Sequence, residues 1–154
     1  EFADLKGDEV VYDLYTGTGT IAQYVARNAK QVIGIESVQE AINAAKEHAE
    51  LNGLSNCTIY CGDMKDIFND EFLVNHPKAD VLITDPPRDG MHQKVVEQIL
   101  KLSPEKIVYV SCNSAKQGRD MALMKEHYRL VKILPVDMFP QTHHVENIAL
   151  LVKI

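Results

Sequence analysis

The chain has 154 residues, 45% of them hydrophobic and 25% charged, which suits one ordinary globular domain with a continuous core. No apolar run approaches the roughly 18 residues that a membrane-spanning helix needs, and no basic start followed by a short apolar stretch marks a secretory leader. A net charge of −6, with 16 dispersed Lys and Arg, argues against a general nucleic-acid binder, which usually shows a basic face.

Glu1, in place of an initiator Met, suggests an excised domain with sequence missing upstream. Apolar runs alternate with helix-type spacing from end to end, the pattern of βα units and a parallel sheet. Strands are predicted at residues 9–14, 31–36, 57–60, 80–84, 106–111, 129–136 and 147–153, and helices at 20–28, 38–52, 65–72, 93–102 and 115–127. Asn52-Gly53 supplies a helix stop. The connection through Pro140 to Glu146 is too short for a right-handed crossover, so the seventh strand is expected to lie antiparallel beside the sixth. The fold class is α/β: a seven-stranded, mostly parallel sheet with an antiparallel last strand and helices on both faces.

The first strand, ending Asp13-Leu14-Tyr15, feeds a turn containing Gly17 and Gly19 and then a helix from Thr20. Glycines let a backbone approach a ligand closely, and a helix start offers unpaired amides. Gly17, Gly19 and Ala22 fit the Gly-x-Gly-x-x-Ala pattern, with Glu36 at the end of the second strand where a carboxylate accepts from ribose hydroxyls. A nicotinamide dinucleotide and S-adenosylmethionine both satisfy this much, and so does a plain tight turn. Cys57 and Cys61 read as small apolar strand residues rather than metal ligands. Asp63, just after the third strand, suits either an acceptor for an adenine amino group or a helix cap.

Asp85-Pro86-Pro87-Arg88 closes the fourth strand at the expected topological switch point. Two prolines stiffen the backbone and remove two amide donors, leaving a shelf that presents a carboxylate and a guanidinium. Dehydrogenases have no evident need for this, whereas methyltransferases that act on planar bases place such a turn here, which tips the cofactor toward S-adenosylmethionine. Cys112 follows the fifth strand, adjacent to the fourth if the order is the usual one. It reads as inert packing or as a nucleophile whose thiolate is favoured by a helix starting near Ser114 or Ala115. With three cysteines, an odd count, a reducing cytoplasmic setting is favoured over a disulfide framework. In the last loop His143 and His144 are neighbours expected to point apart on an extended chain, which argues against a metal site, and Glu146 reads as a general base or a rim charge.

These motifs, taken together as Asp13 to Thr20, Asp85 to Gly90, Tyr109 to Asn113 and Phe139 to Glu146, occur in an order that resembles the RNA uracil-5 methyltransferase family and span almost the whole chain. Two departures are Thr16 where that family often has Cys and Ser114 where Pro usually follows Ser-Cys-Asn. The resemblance implies a Rossmann-like class I methyltransferase fold forming 5-methyluridine in tRNA or rRNA. It implies Cys112 as nucleophile and Glu146 as base. Tyr15, Gly17, Gly19, Thr20, Glu36, Asp63 and Asp85 would hold S-adenosylmethionine, and Asp85 and Arg88 would lie near the target base.

Carbon 5 of uracil is too weak a nucleophile to take a methyl group directly. Thiolate addition at carbon 6 creates an enolate that can, and a base then removes the carbon 5 proton so that the thiolate leaves. The uridine would be flipped from its stack to expose that face. The family's upstream RNA-binding segment and its cofactor-contacting glutamine motif are not in this chain, so residues 1–154 are expected to form a catalytic domain that binds cofactor weakly and methylates RNA poorly or not at all. Two other classes remain: an amino-group or small-molecule methyltransferase, which would not need Cys112, and a non-catalytic nucleotide-cofactor module.

Overall fold

In a computed structural model of residues 1–154, strands and helices alternate along the chain. They are β1 (Val10–Leu14), α1 (Thr20–Ala26), β2 (Gln31–Glu36), α2 (Gln39–Leu51), β3 (Cys57–Cys61), α3 (Met64–Ile67) and α4 (Asp70–Asn75). There follow β4 (Val81–Thr84), α5 (Gln93–Leu102), β5 (Lys106–Ser111), α6 (Ser114–Met124), β6 (Tyr128–Val136) and β7 (Glu146–Lys153). All seven predicted strands form: in β1, β2, β4 and β5 β-branched and aliphatic runs bounded by turn residues have few alternatives to a buried sheet, while β6 is a largely exposed edge strand. The helix predicted at 65–72 is instead two short ones. Phe68 leaves helical geometry and the Asn69 side chain accepts from the Phe72 amide at 3.0 Å, which starts α4 afresh.

The sheet order is β3-β2-β1-β4-β5-β7-β6. Neighbours from β3 through β5 are parallel, and β7 is antiparallel to both β5 and β6. The seventh strand is thus antiparallel and beside the sixth as expected; the tertiary structure adds that it is inserted between the sixth and the fifth.

Side-chain alternation divides the core. Tyr12, Leu14, Ile33, Ile35, Leu82, Ile107 and Tyr109 join Met64, Phe68, Phe72, Val95, Ile99 and Met124 on one face. Val11, Val32, Val81, Ile83 and Val108 meet Ala22, Ala26 and Ala29 on the other. The helix α1 packs closely on this second face because its contact residues are alanines. Its Gln23 reaches across to α2 and donates to the Ala45 carbonyl at 3.0 Å.

Register sets the height of each loop. Leu14 pairs with Ile35 on one side and Thr84 on the other, and Thr84 pairs with Tyr109. The next residues along, Glu36, Tyr15 and Asp85, therefore share one row at the carboxyl ends of adjacent strands. Replacing Leu82, fully buried in the central β4, with Ala is expected to lower unfolding free energy by roughly 3 kcal/mol, measured by urea titration against the parent.

Candidate active site

The chain leaves β1 through an unusual backbone. Tyr15 adopts φ 63, a conformation that a bulky residue rarely takes, and Gly17 and Gly19 follow with φ 55 and 78. This bend lifts the glycine turn above the sheet and leaves the Tyr15 ring against the cleft rather than in the ladder. At Gly19 a Cβ would stand 3.0 Å from the Ala45 side chain, so glycine is needed there for close approach as well as for backbone freedom. Beneath the turn, buried Asp13 accepts from the Thr16 hydroxyl at 2.5 Å. Burial pushes the Asp13 carboxyl up to about 7, against the opposing Thr16 hydrogen bond and with added repulsion from Asp85 and Glu36.

Glu36 locks the turn in place. One carboxylate oxygen accepts from the Gly17 amide at 2.9 Å, and the other accepts from the Ser37 and Val38 amides at 2.7 and 2.9 Å. Beside it opens a cleft of about 490 Å³, lined by Tyr15, Glu36, Ser37, Asp63, Met64, Lys65, Asp85, Pro87, Gly90, His92 and Val95. Four sequence-selected residues, Tyr15, Glu36, Asp63 and Asp85, are thus brought to one cavity. Gly17 touches it through Glu36. Thr20 lies elsewhere, on a second cleft with Thr18, Gln23, Arg27 and His48. Asp63 does cap a helix: its carboxylate accepts from the Lys65 amide at 3.2 Å and pairs with the Lys65 ammonium at 3.0 Å, which lowers its pKa. Its place on the cleft wall means that the two roles read from sequence do not compete.

Asp85 keeps an open surface but sits against the cleft floor. Burial there raises its carboxyl to about 6, and the negative charge of Glu146 adds to the shift. Glu146 opens β7, whose ladder with β5 pairs Ser111 with Asn147. Cys112 is the first residue beyond β5 and Glu146 the first residue of β7, so both lie at the end of the β5–β7 ladder, next to the Ser111–Asn147 pair. Cys112 is half-buried and immediately precedes Asn113, the cap of α6. The Asn113 side chain accepts from the Lys116 amide at 3.2 Å and donates to the Arg88 carbonyl at 3.1 Å, tying the Cys112 turn to the Asp-Pro-Pro-Arg turn. The Arg88 side chain itself is exposed. His143 and His144 do not point apart: the loop is bent there and their rings lie close, centroids 4.2 Å apart and tilted by 40°. No group of His, Cys, Asp and Glu is arranged to hold a metal ion.

Two buried polar residues of α6 escaped the sequence reading. Asp120 accepts from the Tyr109 hydroxyl at 2.6 Å and the Met91 amide at 2.8 Å, and pairs with Arg119 at 2.6 Å. Gln117 donates to the Tyr109 and Asn147 carbonyls at 2.8 and 3.0 Å. The available signal was a Gln and an Asp, three residues apart, on the apolar side of an otherwise polar helix, which is where a buried anchor belongs.

The family model for tRNA (uracil-5-)-methyltransferase matches residues 3–154. A protein of Bacteroides thetaiotaomicron described as an uncharacterized RNA methyltransferase is 60% identical over 98% of this chain. One of Clostridium tetani with the same description is 47% identical. The chain spans 33% of the length of each of these relatives. Among solved structures, Pyrococcus abyssi tRNA (uracil-54, C5)-methyltransferase in complex with S-adenosyl-L-homocysteine superposes with a TM-score of 0.82 at 33% identity, over 96% of this chain and 35% of that one. An rRNA methylase of Streptococcus thermophilus, at 15% identity and a TM-score of 0.76, shares the fold.

The buried Asp13 carboxyl makes stability depend on pH. Its folded pKa of about 7 lies above the ordinary 3.8, so between those values the folded state binds more protons than the unfolded one and stability falls as pH rises. Asp13→Asn keeps an oxygen for Thr16 and removes the titration. Between pH 4 and 8 the parent should lose on the order of 3 kcal/mol more than the variant, read from denaturant curves at each pH.

Proposed function

Because the chain belongs to the tRNA (uracil-5-)-methyltransferase family, we propose that it is the catalytic domain of an S-adenosylmethionine-dependent enzyme that methylates carbon 5 of an RNA uridine through a covalent Cys112 adduct. The observation that supports this reading is the end of the β5–β7 ladder, where Cys112 follows β5, Glu146 begins β7 and the Glu146 charge acts on Asp85 of the cleft.

The cleft suits the cofactor by its chemistry. S-adenosylmethionine carries a sulfonium and an ammonium, and Glu36, Asp63 and Asp85 line the cavity with negative charge. The Glu36 carboxylate accepts backbone amides through both oxygens, and Oε2, which accepts only from Gly17, keeps lone-pair capacity for a ribose hydroxyl. Tyr15, Met64 and Val95 supply an apolar wall. When bound, the cofactor supplies an electrophilic methyl carbon.

The chain's own groups do the rest. Cys112, as thiolate, adds to carbon 6 of the uracil, and the displaced π pair moves onto the carbon 4 oxygen as an enolate, so that carbon 5 becomes nucleophilic. After methylation Glu146 takes the carbon 5 proton. The freed electron pair restores the ring double bond and expels the thiolate. The stiff Asp85-Pro86-Pro87-Arg88 turn holds the edge of the flipped base, with Asp85 accepting from the ring N–H and Arg88 free to meet the backbone phosphate. The substrate RNA is a tRNA or rRNA, selected by surfaces outside this acidic domain, in keeping with relatives of about three times its length.

RNA carrying 5-fluorouridine tests the mechanism, because fluorine cannot be removed as a proton and the adduct is trapped. With S-adenosylmethionine the full-length protein should give a band resistant to denaturation, and Cys112→Ala in the same full-length protein should give none and lose at least about 1,000-fold in turnover, an order-of-magnitude expectation for a lost nucleophile. A Cys112→Ala protein that still methylates would disprove the assignment. Ionised Asp85 favours a cationic cofactor, so S-adenosylmethionine affinity should fall as pH drops through about 6, and Asp85→Asn should flatten that step in calorimetric titrations.

A further inference from the structure

The β5–β7 ladder ends at Ser111 and Asn147, one residue short of both Cys112 and Glu146. Glu146 pairs with Val136 on its β6 side, but past Ser111 the β5 ladder no longer fixes its height against the thiol. Gln117 meets that need. Its side chain is fully buried under α6, and its amide nitrogen donates to two carbonyls at once, Tyr109 on β5 at 2.8 Å and Asn147 on β7 at 3.0 Å. Its oxygen in turn accepts from the Asn147 side-chain amide at 2.5 Å. On the far side Asn147 is paired with Pro135 of β6, a residue with no amide hydrogen to offer.

The chain connectivity makes this more than a strand clamp. Gln117 lies in the second turn of the helix that Cys112 leads into, and Asn147 is bonded to Glu146. The Gln117–Asn147 contact therefore closes a short ring through both reacting groups: Cys112, the cap Asn113, the first turn of α6, Gln117, Asn147 and Glu146. Away from water the three hydrogen bonds of Gln117 are geometrically demanding, and shifting β7 by one residue would break the two made to Asn147. We propose that Gln117 and Asn147 are positioning residues that hold the Glu146 carboxylate at the height needed to take the carbon 5 proton, so that they govern release of the methylated RNA rather than formation of the adduct. This rests on the proposed roles of Cys112 and Glu146.

The experiment follows an ordinary uridine RNA with radiolabelled S-adenosylmethionine, in the full-length protein, by denaturing gel and by turnover. Glu146→Gln serves as reference: it should accumulate a methylated protein–RNA adduct. Gln117→Met, which preserves bulk and removes the hydrogen bonds, should form adduct within about threefold of the parent rate yet turn over about 100-fold more slowly, the scale for a misplacement of about 1 Å, with the same methylated adduct accumulating. Where Gln117→Met does not fold, Asn147→Ala, which removes one of the three bonds, is read by the same criteria. Parent-like turnover, or adduct formation and release falling together, overturns the positioning role while leaving Glu146 as the base. Absence of adduct in Glu146→Gln overturns the base assignment itself, and the positioning role with it.

Discussion

The insertion of β7 between β5 and β6 is the constraint on which the candidate site depends. A parallel sheet gathers loops at its carboxyl edge, but those loops all leave strands that run one way. An antiparallel strand brings its amino-terminal residue to that same edge. Glu146 is that residue, and β5 ends beside it at Ser111. Without the reversed strand, the thiol after β5 would have no carboxylate at its level.

The helix α6 then joins three parts that the chain supplies separately. Through Asn113 it holds the Arg88 carbonyl, through Asp120 the Met91 amide and through Gln117 both β5 and β7. Gly90 shows how tightly this is drawn: φ is 78, and a Cβ there would stand 2.6 Å from an Asp120 oxygen. The Asp120 and Gln117 bonds are buried, so the loss of water by their groups is compensated only by the partner, and they tie the turn after β4 and the start of β7 to α6. Such anchoring suits a reaction that asks a thiol, a base and a cofactor to address adjacent carbons of one ring.

Electrostatics add a further layer. Asp13, Glu36, Asp63 and Asp85 stand at the carboxyl edge of the sheet; burial raises Asp13 and Asp85, with repulsion from Asp85 and Glu36 adding at Asp13 and from Glu146 at Asp85. An acidic cavity of this kind is costly alone and is relieved by a cationic ligand. The chain's net charge of −6, which read from the sequence as an argument against nucleic-acid binding, is in part the composition of this cleft.

Much of the architecture was legible because apolar runs of strand length between helix-spaced stretches leave few alternatives, and the short 137–145 connection dictated an antiparallel end. The glycine turn, Glu36 and the proline-stiffened Asp85 were readable too, since each stands at a fixed offset from a strand end. The break at Phe68 and Asn69 was not, because the apolar spacing runs through it and only the cap at Asn69 divides the helix. Nor were the placing of Thr20 on a second cleft, the bend that brings His143 against His144, or the anchors Gln117 and Asp120. The sequence by itself determined which elements form and which reactive side chains end them, for these follow from local patterning and backbone chemistry. Only the tertiary structure decided that Cys112 and Glu146 come to the same end of one strand pair, because register between residues 34 positions apart is settled by packing and buried hydrogen bonds that no local pattern records.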